Sequence, residues 1–299
     1  MKKYIYIPLI FLAAVSCRKG DLFEQVPYSL DTSTKMAREI VDGAPDYFGH
    51  IKHDKVTNLA QGVSLLDMAY LNKKGYAMQL YMFKVILGTS TITVSSPATD
   101  QKLAPLSEQV SLLNNSVTVL GAVNGDAYSA TDKLPTGILY RNGNAIKTTF
   151  SDAKGGFFAT LADGTAVIGE QADYSTYRRS IQNALGTRTR ILQGGYPVQI
   201  EGDKDAARTF VAVSADKMTV WAGVVDGVYF YYSNGISCSD LATILLAAGA
   251  SDAALLESGP QTTLVRRDDL GEQLFVVCNT PSENGIEQSA VNGLAIVEN

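Results

Sequence analysis

The sequence predicts an α+β fold of mixed, mostly antiparallel twisted sheets with hairpins and a few packed helices. Three observations carry this. Apolar runs rich in β-branched and aromatic residues recur between positions 77 and 232, tight-turn dipeptides separate them, and a well-capped amphipathic helix follows at 237–249. The composition agrees, since 46% hydrophobic and 18% charged residues make a globular chain rather than a disordered one. A net charge of −5 lacks the basic surface that a phosphate backbone demands, so a nucleic-acid partner is not expected.

At the start, Lys2 and Lys3 precede an apolar stretch at 4–12 that is too short to remain as a membrane span. Ala13, Ala14 and Ser16 lead directly to Cys17, and Ala14-Val15-Ser16-Cys17 resembles the lipobox cut by bacterial lipoprotein signal peptidase, with Ala14 where leucine is commoner. The expectation is a lipoprotein signal peptide at 1–16 and lipidation of Cys17. The lipid would be the contact with the membrane and would hold the protein in the cell envelope, at the outer membrane, on its periplasmic or its surface face.

Residues 17–60 read as a lipidated tether and N-terminal extension. Positions 18–34 are polar without periodicity, and 35–60 suggest short helical turns and contain both histidines, His50 and His53. Asp46 and Asp54 lie nearby, but the spacing matches no metal site, so a solvated loop or helix end is expected. Residues 61–299 hold the main domain.

Within it, 77–87 and 117–123 read as strands, the second apolar on consecutive positions and so covered on both faces. Hairpins are expected at Asn142-Gly143, at Asp163-Gly164 between 157–161 and 166–168, and at Asp226-Gly227 between 218–225 and 228–232. Ser237 is the expected N-cap of the helix, with Asp240 three residues on. Leu241, Ile244, Leu245 and Ala248 form one face, and Gly249 ends it. Cys238 and Cys278 sit in apolar segments and read as free buried thiols rather than the disulfide that export would permit.

No Walker loop, dinucleotide fingerprint, zincin HExxH, nucleophile elbow or CxxC pair is present. The remaining polar signals stand at strand ends. Asn124-Gly125-Asp126 follows 117–123, Arg208-Thr209 precedes the apolar 210–213, and Asp226-Gly227 follows 218–225. Taken singly, these are turns and a surface cation.

Taken in order, AVNGDAY (122–128), TGI (136–138), Asn142-Gly143, ARTFV (207–211), VDG (225–227), the helix ending in Gly249-Ala250 and LLESGPQTTLV (255–265) closely resemble the phosphodiester glycosidase family. That family includes the N-acetylglucosamine-1-phosphodiester α-N-acetylglucosaminidase, or uncovering enzyme. The chain departs from the family where the usual run is NLDGGGSST: Leu255, Glu257, Ser258 and Pro260 stand for the Asn, the Asp and two of the glycines, and Gln261 and Thr262 replace serines. Gln288 stands where an arginine is common.

The resemblance implies hydrolysis of a sugar-1-phosphodiester, with a sugar phosphate or phosphodiester-linked glycan as ligand. Asp126, Asp226 and Glu257 are then the candidate catalytic carboxylates. Asn124, Gly125, Arg208, Thr209, Gly227 and Gly259 are the candidate substrate contacts, with Arg208 for the phosphate and Tyr128 for stacking on a sugar ring. No cofactor is required; three carboxylates could hold a divalent cation, although no metal ligand is assigned. Two flanking carboxylates about 5 Å apart would predict retention, and about 6.5–9.5 Å inversion. The altered 257–262 segment leaves a second reading open, a catalytically inactive glycan or sugar-phosphate binding module on the same fold.

Overall fold

Local turn chemistry shapes much of the chain. Asn142 and Gly143 both take positive φ, 49° and 76°, which matches the twist of the strands they join, Leu139–Arg141 and Asn144–Lys147. Gly156–Leu161 and Ala166–Glu170 fold back likewise around Gly164 at φ 83°. The Cys238–Ala247 helix begins where Ser237 accepts from the Asp240 N–H at 3.1 Å, and Gly249 lies beyond its end at φ 100°.

The computed structural model describes residues 28–98, 102–151, 154–271 and 273–298. The expected signal peptide at 1–16, Cys17 and positions 18–27 of the expected tether lie outside the described residues.

Three main sheets are formed, and every ladder between their strands is antiparallel. The largest has eight strands in the order Phe48–Ala60, Val63–Asn72, Ala77–Ile86, Thr219–Val225, Arg208–Ser214, Ala250–Leu255, Arg190–Gln193 and Tyr196–Pro197. A five-stranded sheet is built on Gly156–Leu161 and Ile181–Thr187. A second holds Val119–Asn124 between Leu264–Arg267 and Gly293–Glu298.

Period-two alternation sends each strand of the large sheet into two cores. Met68, Tyr70, Met82, Phe210 and Trp221 pack under the helices Lys35–Gly43 and Cys238–Ala247. Phe83, Val85, Val211 and Val224 pack on the other side with Leu120, Val123, Phe158 and Leu185 from the smaller sheets. The two helices touch closely at Gly43, where an added Cβ would lie 2.8 Å from that of Ala247. Val119–Asn124 is buried at all six positions, as its unbroken apolar run predicts.

Two expectations change. Residues 35–60 form the Lys35–Gly43 helix and the 13-residue strand Phe48–Ala60, which pairs with Val63–Asn72, so the sheet runs unbroken across residue 60. Polar side chains hide this edge strand in the sequence. His53 bonds Asp67 at 3.1 Å, and the Asp54 carboxylate accepts from Ser33 N and Thr34 N at 2.7 and 2.6 Å. The expected hairpin at Asp226-Gly227 is not formed either. Thr219–Val225 pairs with Arg208–Ser214 and Ala77–Ile86, and 228–232 is a loop. Cys238 and Cys278 are free thiols, the first buried and the second half-buried.

Candidate active site

Strand order brings the polar motifs to one edge. Arg208 pairs with Val225, which places Asp226-Gly227 beside Ala207. On the other side of that strand, Leu256 N donates to Thr209 O at 2.9 Å and Gly259 N to Ala207 O at 3.0 Å, which seats the 256–259 segment. Asn124, Gly125 and Asp126 arrive from the adjoining sheet.

Asn124 is the joint. Its Oδ1 accepts from Thr209 Oγ1 at 2.7 Å and Thr263 N at 3.0 Å, while its Nδ2 donates to the Glu257 carbonyl at 2.6 Å. Gly125 O accepts from Glu257 N at 2.9 Å, so Glu257 is held on both sides of its peptide unit. Gly125 must lack a side chain, because a Cβ would lie 2.2 Å from Asn292 Oδ1. That oxygen accepts from Asp126 N at 2.7 Å.

The three carboxylates differ in what they face. Asp126 is buried, with Oδ1 accepting from Thr136 Oγ1 at 2.9 Å and Oδ2 from Gly137 N at 2.6 Å. Burial pushes its carboxyl up to about 6, against the pull of those bonds and of the Lys147 charge. Asp226 is equally buried and accepts from Asn279 Nδ2, Tyr232 Oη and Thr280 N at 2.8–2.9 Å. Burial raises its pKa as well. Glu257 keeps 26% of its side chain exposed, and its Oε2 stands 3.8 Å from Arg188 Nε. Desolvation raises its pKa and Arg188 draws it back down.

Glu257 and Arg188 share a cavity of about 330 Å³ with Ala127, Tyr128, Ala130, Lys133 and Gln261. Lys133 Nζ sits 5.3 Å from the centre of the Tyr128 ring. Arg188 also lines a neighbouring cavity of about 350 Å³ that contains Lys154, Glu170 and Arg190. Two cationic side chains, Arg188 and Lys133, therefore share the cavity of the Glu257 carboxylate.

Of the other candidates, Thr209 is spent on Asn124, and its N–H donates to Ser258 Oγ at 3.3 Å. Arg208 donates to Lys204 O at 2.7 Å and Ile236 O at 3.3 Å, with Asp203 Oδ1 4.0 Å away. Gly227 lies against Ala207 N and Gly235, where a Cβ would come within 2.9 Å of backbone. Gly259 takes φ 74° at the start of a short 3₁₀ turn containing Pro260. Gln288 donates to Ile286 O at 3.2 Å. Among the described residues no three His, Cys, Asp or Glu side chains are grouped so as to hold a metal ion.

Sequence reasoning did not reach Arg188, Asn279, Thr280 or Asn292. Arg188 lies in Thr187-Arg188-Thr189-Arg190, which looks like an ordinary exposed edge. Asn279 and Asn292 look like turn residues, yet they are 7% and 0% exposed and hold the two buried aspartates.

Fold and site together define a sheet-dominated α+β protein with a polar cleft at converging strand ends. The chain belongs to the phosphodiester glycosidase family, whose profile matches residues 118–297. Its structure is similar to the catalytic domain of zebrafish N-acetylglucosamine-1-phosphodiester alpha-N-acetylglucosaminidase, auto-inhibited by pro-peptide. The TM-score is 0.62 at 14% identity, over 82% of this chain and 88% of that one. A hypothetical protein from Synechocystis is similar with a TM-score of 0.58 and 14% identity, over 82% of this chain and 64% of that one. No curated protein sequence matches the chain significantly.

Proposed function

We propose that this protein hydrolyses a sugar-1-phosphodiester, breaking the bond between C1 and the phosphate oxygen and releasing free sugar and a phosphomonoester. The observation that carries the reading is the Glu257 carboxylate beside Arg188, open to the 330 Å³ cavity while its backbone is clamped by Asn124 and Gly125. The phosphate departs as a stabilised anion and needs little protonation, so the chain's task is to hold that anion and to activate the attack on C1. Glu257 serves as nucleophile or as the base that takes a proton from water; Arg188 and Lys133 attract the departing phosphate. Asp126 and Asp226 then act as buried supports, because each has both oxygens committed to donors of the fold.

The same commitment favours a second reading, a sugar-phosphate binding module in which Glu257 alone does not suffice for turnover. The deciding experiment incubates the full-length chain with a panel of sugar-1-phosphodiesters and follows phosphomonoester and free sugar. Turnover that Glu257→Gln lowers by about 10²-fold or more, with unfolding unchanged, is the expected result. Binding without turnover on every substrate would replace the hydrolase with the binder.

We also infer that Cys17 carries lipid and anchors the domain in the cell envelope, on the strength of Ala14-Val15-Ser16-Cys17. No helix among the described residues is long and apolar enough to cross a membrane. Incorporation of labelled fatty acid that Cys17→Ala abolishes is the expected outcome; equal labelling of both proteins would overturn the anchor.

A further inference from the structure

The loop after Asp226 exposes side chains that the fold does not use. Val228, Phe230 and Tyr231 are 67%, 68% and 91% exposed, and the two rings meet edge to face at 5.0 Å. Three such side chains within four residues are a patch rather than scattered surface residues. The root of the loop, by contrast, is fixed. Tyr232 donates to the Asp226 carboxylate at 2.9 Å, and Ser233 Oγ to the Asp226 carbonyl at 2.6 Å. Tyr229 Oη donates to Pro281 O and Ser282 O at 3.0 and 3.1 Å, and Asn234 Nδ2 to Ala77 O at 3.1 Å. A rigid stem therefore holds an aromatic crown in water.

Its position relates it to the cleft. Ala207 has Gly227 on one side and, through its carbonyl, Gly259 on the other. The stem of the loop and the 257–261 segment are thus one strand apart on each side, about 10 Å in all. That is the reach of a short oligosaccharide. Residues 227–237, GVYFYYSNGIS, contain no charged side chain, so the loop itself offers an anionic lipid surface or an acidic polymer no ion pair. The two exposed rings suit the C–H faces of neutral sugars.

We propose that Phe230 and Tyr231 form a glycan platform that takes neutral sugar rings beyond the cleaved unit, so that the substrate is an extended phosphodiester-linked glycan rather than a small sugar phosphodiester. The assignment of an extended substrate rests on the hydrolase reading; the platform itself is tested without turnover. The full-length chain and Phe230→Ala/Tyr231→Ala are titrated with neutral tri- and tetrasaccharides of glucose, mannose and N-acetylglucosamine, with thermal unfolding as the check on folding. At least one oligosaccharide should bind and weaken about tenfold or more in the double variant, with unfolding unchanged. Oligosaccharide binding that is absent, or equal in both proteins, would overturn the platform. So would binding to uncharged phosphatidylcholine vesicles that the double variant loses while it keeps any sugar binding, which would make the crown a membrane contact. Sugar binding that follows the aromatic residues in a protein that turns over no phosphodiester would sustain the platform and remove the hydrolase.

Discussion

Asn124 donates from Nδ2 to the main-chain carbonyl of Glu257 at 2.6 Å, across 133 residues of sequence. The same side chain accepts from Thr209 and Thr263, so one amide joins two sheets and the segment that carries the open carboxylate. Asn124→Ala leaves two donors and an acceptor unmatched in a buried place. A loss of roughly 3 kcal/mol or more is expected. Asn124→Asp should cost a comparable amount, because it sets a carboxylate against the Glu257 carbonyl. Urea unfolding of both variants checks this, and a change within about 0.5 kcal/mol of wild type, the range of an ordinary surface substitution, would show that the joint is not needed.

Arg188 should set the pH range of Glu257. Its charge draws the carboxyl down against the rise caused by burial, so Arg188→Gln must raise the Glu257 pKa. If ionised Glu257 is the working form, the acid limb of the rate profile moves to higher pH. A conservative Arg188→Lys should restore most of the original position. Measuring kcat/KM from pH 4 to 8 for the three proteins decides it; limbs that coincide would detach Arg188 from the carboxylate.

What could be read from the chain was what short stretches decide for themselves. Asn142-Gly143, the buried Val119–Asn124 strand and the Ser237-capped helix are set by turn preference, unbroken apolarity and capping. Phe48–Ala60 escaped because an edge strand with polar partners lacks a clean alternation. Asp226-Gly227 looked like a hairpin turn, but Asn279 and Thr280, more than fifty residues away, claim the carboxylate. The chemistry at the site follows the same division. The carboxylates and their motifs stand in the sequence, while their division into two buried groups and one open one depends on partners from distant strands.

Asp126 should make stability fall as pH rises. Its carboxyl has a usual value of 3.8 and is pushed to about 6 in the folded protein, so the native state holds the proton more tightly than the unfolded state. The contribution is complete below about pH 4 and lost as pH passes about 6, with a total on the order of 2–3 kcal/mol. Asp226 and Glu257 are raised in the same direction and add to the slope. Asp126→Asn can still offer a carbonyl to Gly137 N and should remove only the Asp126 part. Unfolding free energies at pH 4.5 and 7.5 for both proteins give the difference; parallel profiles would mean that Asp126 is ionised throughout.

Gly186 should prove as demanding as the aspartate it adjoins. A Cβ there would lie 2.4 Å from Asp126 Oδ2 and 2.7 Å from the Gly137 Cα. The first contact is with a side chain pinned by two hydrogen bonds and the second with backbone, so neither can swing aside. Overpacking of this kind costs about 1–3 kcal/mol, and here it also pushes on the carboxylate that holds residues 136–137. Gly186→Ala should therefore destabilise by about 3 kcal/mol. Part of that penalty belongs to Asp126 itself. In an Asp126→Ala background the same change should cost about 1 kcal/mol less, a coupling that a double-mutant cycle by urea unfolding measures directly. Additive effects would place the whole clash on the Gly137 backbone and leave Asp126 without a part in it.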